Sequence, residues 1–230
     1  MKSDTRAGGV ASLVQALCYI CGFAMLATVM NPGNAEGWSQ VQKLAFILER
    51  EGLVQLWNII IYVVFGVSLV VLTVVLHRKL EKSSSLLMAI ATPFGLIWAG
   101  LVIASGMVAS VGLAEIAEVF AQDQTAAADS WSIIGTVQDG LGGGVEIVGG
   151  LWVLLVSVSS LRSKLLFPRL VNVIGLLVGI AGTATVVPAL SGLGAVFGLV
   201  QIVWFLAVGV VLLRTNDATS LSPNASELGS

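Results

Sequence analysis

Six uninterrupted apolar runs of about twenty residues each set the terms for anything this chain can fold into. They cover residues 11–30, 53–76, 86–109, 143–160, 170–189 and 193–213. A helix rises about 1.5 Å per residue, so each run is long enough to cross a hydrocarbon core of roughly 30 Å. Backbone groups surrounded by lipid must be satisfied within the spanning structure, which leaves helices or a closed barrel. Barrel strands would read as roughly ten-residue segments of alternating polarity; these runs do not alternate, so they are helices. Composition agrees, because 57% of the residues are hydrophobic and only 10% charged, against about 25% charged in soluble domains. The expected fold class is all-α: a polytopic membrane protein with six transmembrane helices in one bundle over residues 1–214. The tail 215–230 is polar and Ser-rich, hence expected to be disordered.

The first run follows Lys2 and Arg6. Its apolar core of about 20 residues exceeds the 7–15 residues of a cleaved signal sequence, so it is expected to be a retained span. Lys and Arg placement orients the bundle. With the N-terminus in the cytoplasm, Lys2, Arg6, Arg78, Lys79, Lys82, Arg162, Lys164, Arg169 and Arg214 fall inside, and Lys43 and Arg50 fall outside. Both termini are therefore expected to be cytoplasmic. Acidic residues such as Glu36, Glu49, Glu51, Glu115, Glu118, Asp123 and Asp129 lie in the outer connections.

Those outer connections are the longer ones. Trp38, Val41, Leu44, Ala45 and Leu48 recur at helical spacing among polar residues, the pattern of an amphipathic helix lying in the membrane interface with Trp38 as its anchor. The stretch 114–131 is expected to carry the third span beyond the membrane and to turn near 123–129. Pro93 should kink that span, and Pro168 suits the first turn of the fifth.

Several function classes fall away by count. A net charge of −2 argues against nucleic acid as a partner. The two cysteines, Cys18 and Cys21, sit in the first apolar run and read as small buried hydrophobes. The single histidine, His77, stands beside Arg78 and Lys79 and reads as a solvated loop residue. No His cluster or Cys/His zinc site can be assembled, and no cofactor is expected.

Ionisable residues inside a span are costly and mark candidate sites. Glu146, in the fourth run, would lie roughly 21 Å from the inner boundary. Asp139 precedes it by seven residues and would return to nearly the same helix face, close to the outer interface. Gly142, Gly143, Gly149 and Gly150 would fall within about 60° of Glu146 on that face, so a neighbouring helix can approach closely. The glycine run 140–144 also weakens the helix and predicts a kink or break there. Asn58 and Tyr62 in the second run, on one face with Gln55, and Gln201 in the sixth match Glu146 in depth. A ligand or ion site built from Glu146, Asp139, Asn58, Tyr62 and Gln201 is the candidate. Helix-linking hydrogen bonds alone are the competing account of the same residues. The spacings Gly175-Leu-Leu-Val-Gly179 and Gly194-Ala-Val-Phe-Gly198, and the tryptophans Trp57, Trp98, Trp131, Trp152 and Trp204, read as packing or interfacial elements.

The segment Leu161-Arg162-Ser163-Lys164-Leu165-Leu166-Phe167-Pro168-Arg169-Leu170, running into Gly175-Leu-Leu and Ala181-Gly182, resembles a recurring feature of a bacterial family catalogued as domain of unknown function 4386. In that family of small six-helix integral membrane proteins, a basic inner loop with Arg-Ser and Pro-Arg leads into a Gly/Ala-rich span. Length and span spacing are similar over most of the chain. The resemblance implies the fold, the topology and a place in the bacterial inner membrane; it implies no activity and no site residues.

Two functional readings follow. The first is a non-enzymatic accessory or scaffold subunit acting through helix packing, with the lipid bilayer and other membrane subunits or a second copy as partners. The alternative is a small transporter or ligand-binding membrane protein with Glu146 as an intramembrane proton or cation site. Acid/base groups are present, but no nucleophile, metal site or redox site accompanies them, so an enzyme is not expected.

Overall fold

A computed structural model describes residues 2–143, 146–163 and 166–218, and these are helical almost throughout, with no strand among them. The elements are α1 (Lys2–Ala27), α2 (Gln40–Leu48), α3 (Glu51–Asn58), a π-helical segment (Ile59–Val64), α4 (Phe65–Leu80), α5 (Ser85–Phe120), α6 (Gln124–Gln138), a π turn (Asp139–Gly143), α7 (Ile147–Ser163), α8 (Arg169–Ala184), a 3₁₀ turn (Pro188–Leu190) and α9 (Leu193–Ala218). Five stretches are long and apolar enough to cross a membrane: Ser3–Ala27, Glu51–Leu80, Ser85–Phe120, Gln124–Ser163 and Leu193–Thr215. A sixth apolar helix, Arg169–Ala184, has 16 residues, or about 24 Å of rise.

These helices form a closed ring. α1 packs against α4, α4 against α5, α5 against α7, α7 against α8, α8 against α9, and α9 returns to α1. Lipid supplies no net hydrophobic drive between helices, so closure depends on close packing of small residues. At the α1–α9 contact a Cβ on Gly9 would lie 3.2 Å from the Gly209 carbonyl oxygen, and one on Gly209 would lie 3.1 Å from that of Gly9. Ser12 Oγ adds a 2.6 Å hydrogen bond to the Phe205 carbonyl across the same interface. At the α7–α8 contact, Gly150 faces the backbone of Gly182 and Thr183, and Gly179 faces that of Leu154.

Aromatic rings fill the middle of the ring of helices. Trp98, Trp152 and Trp204 follow one another at centroid spacings of 5.9 and 5.8 Å. Phe205 packs at a tilt against Trp204, and Phe65 joins Phe205 back to Trp98. These tryptophans are packing residues, with Trp152 and Trp204 fully buried.

At one end of the bundle the α5–α6 hairpin projects past the other helices. With 36 residues, α5 is about 54 Å long, well beyond a hydrocarbon core of roughly 30 Å. It ends at Phe120, and Asp123 starts α6 by accepting from the amides of Thr125 and Ala126. Against this hairpin lies α2, started by a reciprocal cap in which Ser39 and Gln42 satisfy each other's backbone amides. Leu44, Ile116, Ala127 and Ala128 form a small second core here. The apolar face of α2 expected from the sequence is thus turned towards α5 and α6. Trp38 packs edge-on to Phe46.

Other expectations also change. His77 belongs to the last turn of α4 and is half-buried, with Nδ1 2.8 Å from Thr92 Oγ1 and Nε2 3.0 Å from Glu81; it is no loop residue. Pro93 lies within α5, as the third apolar run places it, and Thr92 Oγ1 donates to the Met88 carbonyl one turn back. Pro168 is the residue preceding α8, not part of its first turn. Of the two cysteines, Cys18 is buried but Cys21 is exposed on the outer face of α1. Lys164 and the tail beyond residue 218 lie outside the described residues.

Candidate functional site

The helix that opens as α6 does not continue into α7. Gly142 adopts φ +131°, a conformation open to glycine and strained for side-chain-bearing residues, and helical geometry resumes only at Ile147. The break falls where the glycine run predicts it. Glu146 is the residue on which α7 starts, since its carbonyl accepts the first helical bond from the Gly150 amide. Its own amide donates to Thr185 Oγ1 at 2.8 Å, and Thr185 Oγ1 donates in turn to the Gly182 carbonyl at 2.7 Å. Buried Gly149 lets Trp98 press against the first turn of α7. The Glu146 backbone is thus held to α8 on one side and to α5 on the other.

The Glu146 side chain is half-buried and lines a cavity of about 430 Å³ at the same end of the bundle as α2. Six aromatic side chains share the lining: Tyr19, Phe23, Trp57, Tyr62, Phe65 and Trp98. Leu26, Ser191 and Ala195 also line it and are exposed, so the cavity opens between the end of α1 and the connection into α9. None of the lining residues is basic. Among the described residues, no cation or hydrogen-bond donor pairs with the Glu146 carboxylate.

Tyr62 is placed by two contacts. Its side chain lies flat on Gly106 of α5, where any Cβ would collide with it. Its hydroxyl accepts a 2.7 Å bond from Gln138 Nε2, while the Gln138 carbonyl accepts from Ser105 Oγ at 3.0 Å. Such interhelical bonds are worth roughly 0.6–2 kcal/mol each in a membrane bundle, and together they tie the second, third and fourth spans at one level.

Of the five candidate residues, the structure brings Glu146 and Tyr62 into one cavity. Asp139 is exposed and does not line it; the turn at Gly142 ends the continuous helix that would have stacked Asp139 over Glu146. Asn58 is buried but lies just before the π-helical segment, whose wider turn changes the angular register between it and Tyr62. Gln55, on the same sequence face, instead donates to the Ser110 carbonyl at 2.9 Å. Gln201 is fully buried between helices, away from the cavity lining, with both amide atoms unpaired among the described residues. The aromatic walls were not among the sequence candidates. Their signal was present as Tyr19 and Phe23, one turn apart in the first apolar run, but which face they share with Glu146 depends on the packing of α1.

Among the described residues no group of three or more His, Cys, Asp or Glu is placed to hold a metal ion. The chemistry the arrangement offers is a single negative group set in an aromatic, half-open pocket.

No curated protein and no solved structure matches the chain significantly. The model of one family, described as Domain of unknown function (DUF4386), matches residues 5–215, which takes in every apolar helix, the cavity and the α2 cap. The chain belongs to this family.

Proposed function

We propose that this protein is a six-span membrane protein of the bacterial cell membrane that binds a small molecule in the Glu146 cavity, as a transporter or receptor would, without catalysing a reaction. The observation that carries this reading is a half-buried carboxylate, without an ion-pair or hydrogen-bond partner among the described residues, lining a cavity of about 430 Å³, within the 300–1,000 Å³ typical of ligand pockets. The scaffold alternative drew on the small-residue faces. Gly9, Gly209, Gly150, Gly179 and Gly182 are spent on contacts inside the bundle, so they are not left free for a partner subunit.

In this reading Arg169–Ala184, fifth in chain order, is also a span, lengthened by its flanks and accommodated by modest local thinning. The distribution of Lys and Arg places both termini in the cytoplasm, and the cavity, at the opposite end from the termini, then opens outward. A C-terminal fusion to a fluorescent protein is expected to fluoresce and one to alkaline phosphatase to be inactive; the reverse pattern would overturn the orientation.

Ala195 lines the cavity at its exposed rim and is the position for a thiol reporter. In a Cys18→Ser, Cys21→Ser background, a membrane-impermeant methanethiosulfonate added outside is expected to modify an Ala195→Cys variant at a rate within about tenfold of a permeant methanethiosulfonate. If only the permeant reagent reacts, the cavity is not an outward-facing site and the reading fails.

A further inference from the structure

We infer that the cavity takes an organic ammonium cation, held by Glu146 at its charge and by the aromatic walls around it. This deepens the proposed function and rests on its reading of the cavity as an open binding site. A carboxylate half-removed from water and without a basic partner is costly unless a proton or a cation neutralises it. The site offers a cation more than the carboxylate. Tyr19, Trp57, Tyr62 and Trp98 line the space, and aromatic faces attract quaternary and protonated amines through their ring quadrupoles. Trp57 is half-buried, and its Nε1 has no hydrogen-bond partner among the described residues.

The same features select against other classes. An anion would meet Glu146 with no Lys or Arg in the lining. A hard metal ion needs about six oxygen ligands, and the lining supplies one carboxylate and a few hydroxyls. A sugar needs a dense set of hydrogen-bonding partners, and aromatic and small apolar residues dominate these walls. What fits is a positive head carrying apolar substituents.

Two sources share that chemistry: a free amine or quaternary ammonium compound, and the headgroup of a choline or ethanolamine lipid. The exposed rim at Leu26 and Ala195 is open to either. The test uses the full chain in nanodiscs, with benzyltrimethylammonium as probe and benzyl alcohol and benzoate as neutral and anionic counterparts. Binding is read by tryptophan fluorescence and calorimetry. We expect saturable binding of the cation at least tenfold tighter than benzyl alcohol, no binding of benzoate, and at least a tenfold loss in Glu146→Gln. The cation's affinity should fall as pH is lowered, because protons compete for the same carboxylate, and this dependence should vanish in Glu146→Gln. The other titratable groups facing Glu146 across the cavity are Cys18 and Tyr19 of α1 and Tyr62 of the π-helical segment; α5 and α9 contribute none to the lining.

Nanodiscs of equal phosphatidylglycerol content, completed with a neutral glycolipid in one set and with phosphatidylcholine in the second, separate the two sources at matched surface charge. Weaker probe binding in the second identifies a lipid headgroup as competitor, and equal binding identifies a free cation; either outcome supports the ammonium assignment. Should Glu146→Gln fail to fold, Trp57→Leu keeps the carboxylate and must weaken the cation more than benzyl alcohol. Equal binding of cation and alcohol, or an unchanged affinity in Glu146→Gln, would overturn the inference while leaving an open cavity standing. Failure of every probe, together with an unreactive thiol in the Ala195→Cys variant, would remove the cavity reading itself.

Discussion

Replacing Gly150 by leucine is expected to abolish the folded protein. A Cβ at this position would collide with the Thr183 amide nitrogen and lie 2.7 Å from the Gly182 carbonyl carbon. The obstacle is therefore backbone, which has no rotamer to change, and relief requires α7 and α8 to separate. Those two helices share one of the most extensive contacts in the bundle. Separation would also pull Glu146 away from Thr185, since that hydrogen bond joins the same pair of helices. Overpacking usually costs about 1–3 kcal/mol when side chains can adjust, and here the upper end or beyond is expected. The measurement is size-exclusion behaviour and thermal unfolding after detergent extraction. A monodisperse Gly150→Leu protein with an unchanged unfolding midpoint would show that the close α7–α8 approach is not what holds this part of the ring.

Trp152→Ala is the second large effect, and it arises by the opposite route. Trp152 is fully buried, packs tilted against Trp98 and edge-on to Trp204, and presses its Nε1 edge over Gly95 of α5. Its removal leaves a void at the centre of the ring of helices and forfeits two aromatic pairs, each worth about 0.5–1.5 kcal/mol. Large aromatic truncations in water-soluble cores cost roughly 3–5 kcal/mol. In lipid the transfer part of that cost is smaller, because the unfolded helix is also in an apolar solvent, so a loss on the order of 3 kcal/mol is expected. Thermal unfolding in micelles checks it. The same variant should loosen Trp98, which forms part of the cavity wall, so weaker ligand binding should accompany the lost stability. Retained binding at full affinity would mean that the aromatic core and the cavity are mechanically independent.

The contrast between these two positions shows what a linear reading can and cannot reach. Gly150 and Trp152 stand two residues apart in one apolar run, and both were expected to serve packing. That Gly150 meets backbone and Trp152 meets a chain of indoles follows from which helices flank α7, and no periodicity in the run encodes its neighbours. The amphipathic pattern of α2 was legible, yet what covers its apolar face was not. Lipid and protein are equally apolar, so the pattern is satisfied by either, and the length of the α5–α6 hairpin decided in favour of protein. For the candidate site, Glu146 stood out because a carboxylate in a long apolar run is expensive. Asn58, Tyr62 and Gln201 were grouped with it by depth, and Asp139 on the assumption of a straight helix at 100° per residue.

The sequence by itself determined the all-helical class, the positions of the apolar helices and the break that begins in the glycine run. These are consequences of one-dimensional properties: run length against bilayer thickness, and the helix-breaking tendency of glycine. The tertiary structure decided the closed ring, the aromatic centre and the company Glu146 keeps. A π-helical segment in the second span and a positive-φ glycine in the fourth each reset the direction of the side chains that follow. Once those two registers shift, depth still survives from the sequence but azimuth does not, and azimuth is what sets a carboxylate among aromatic rings.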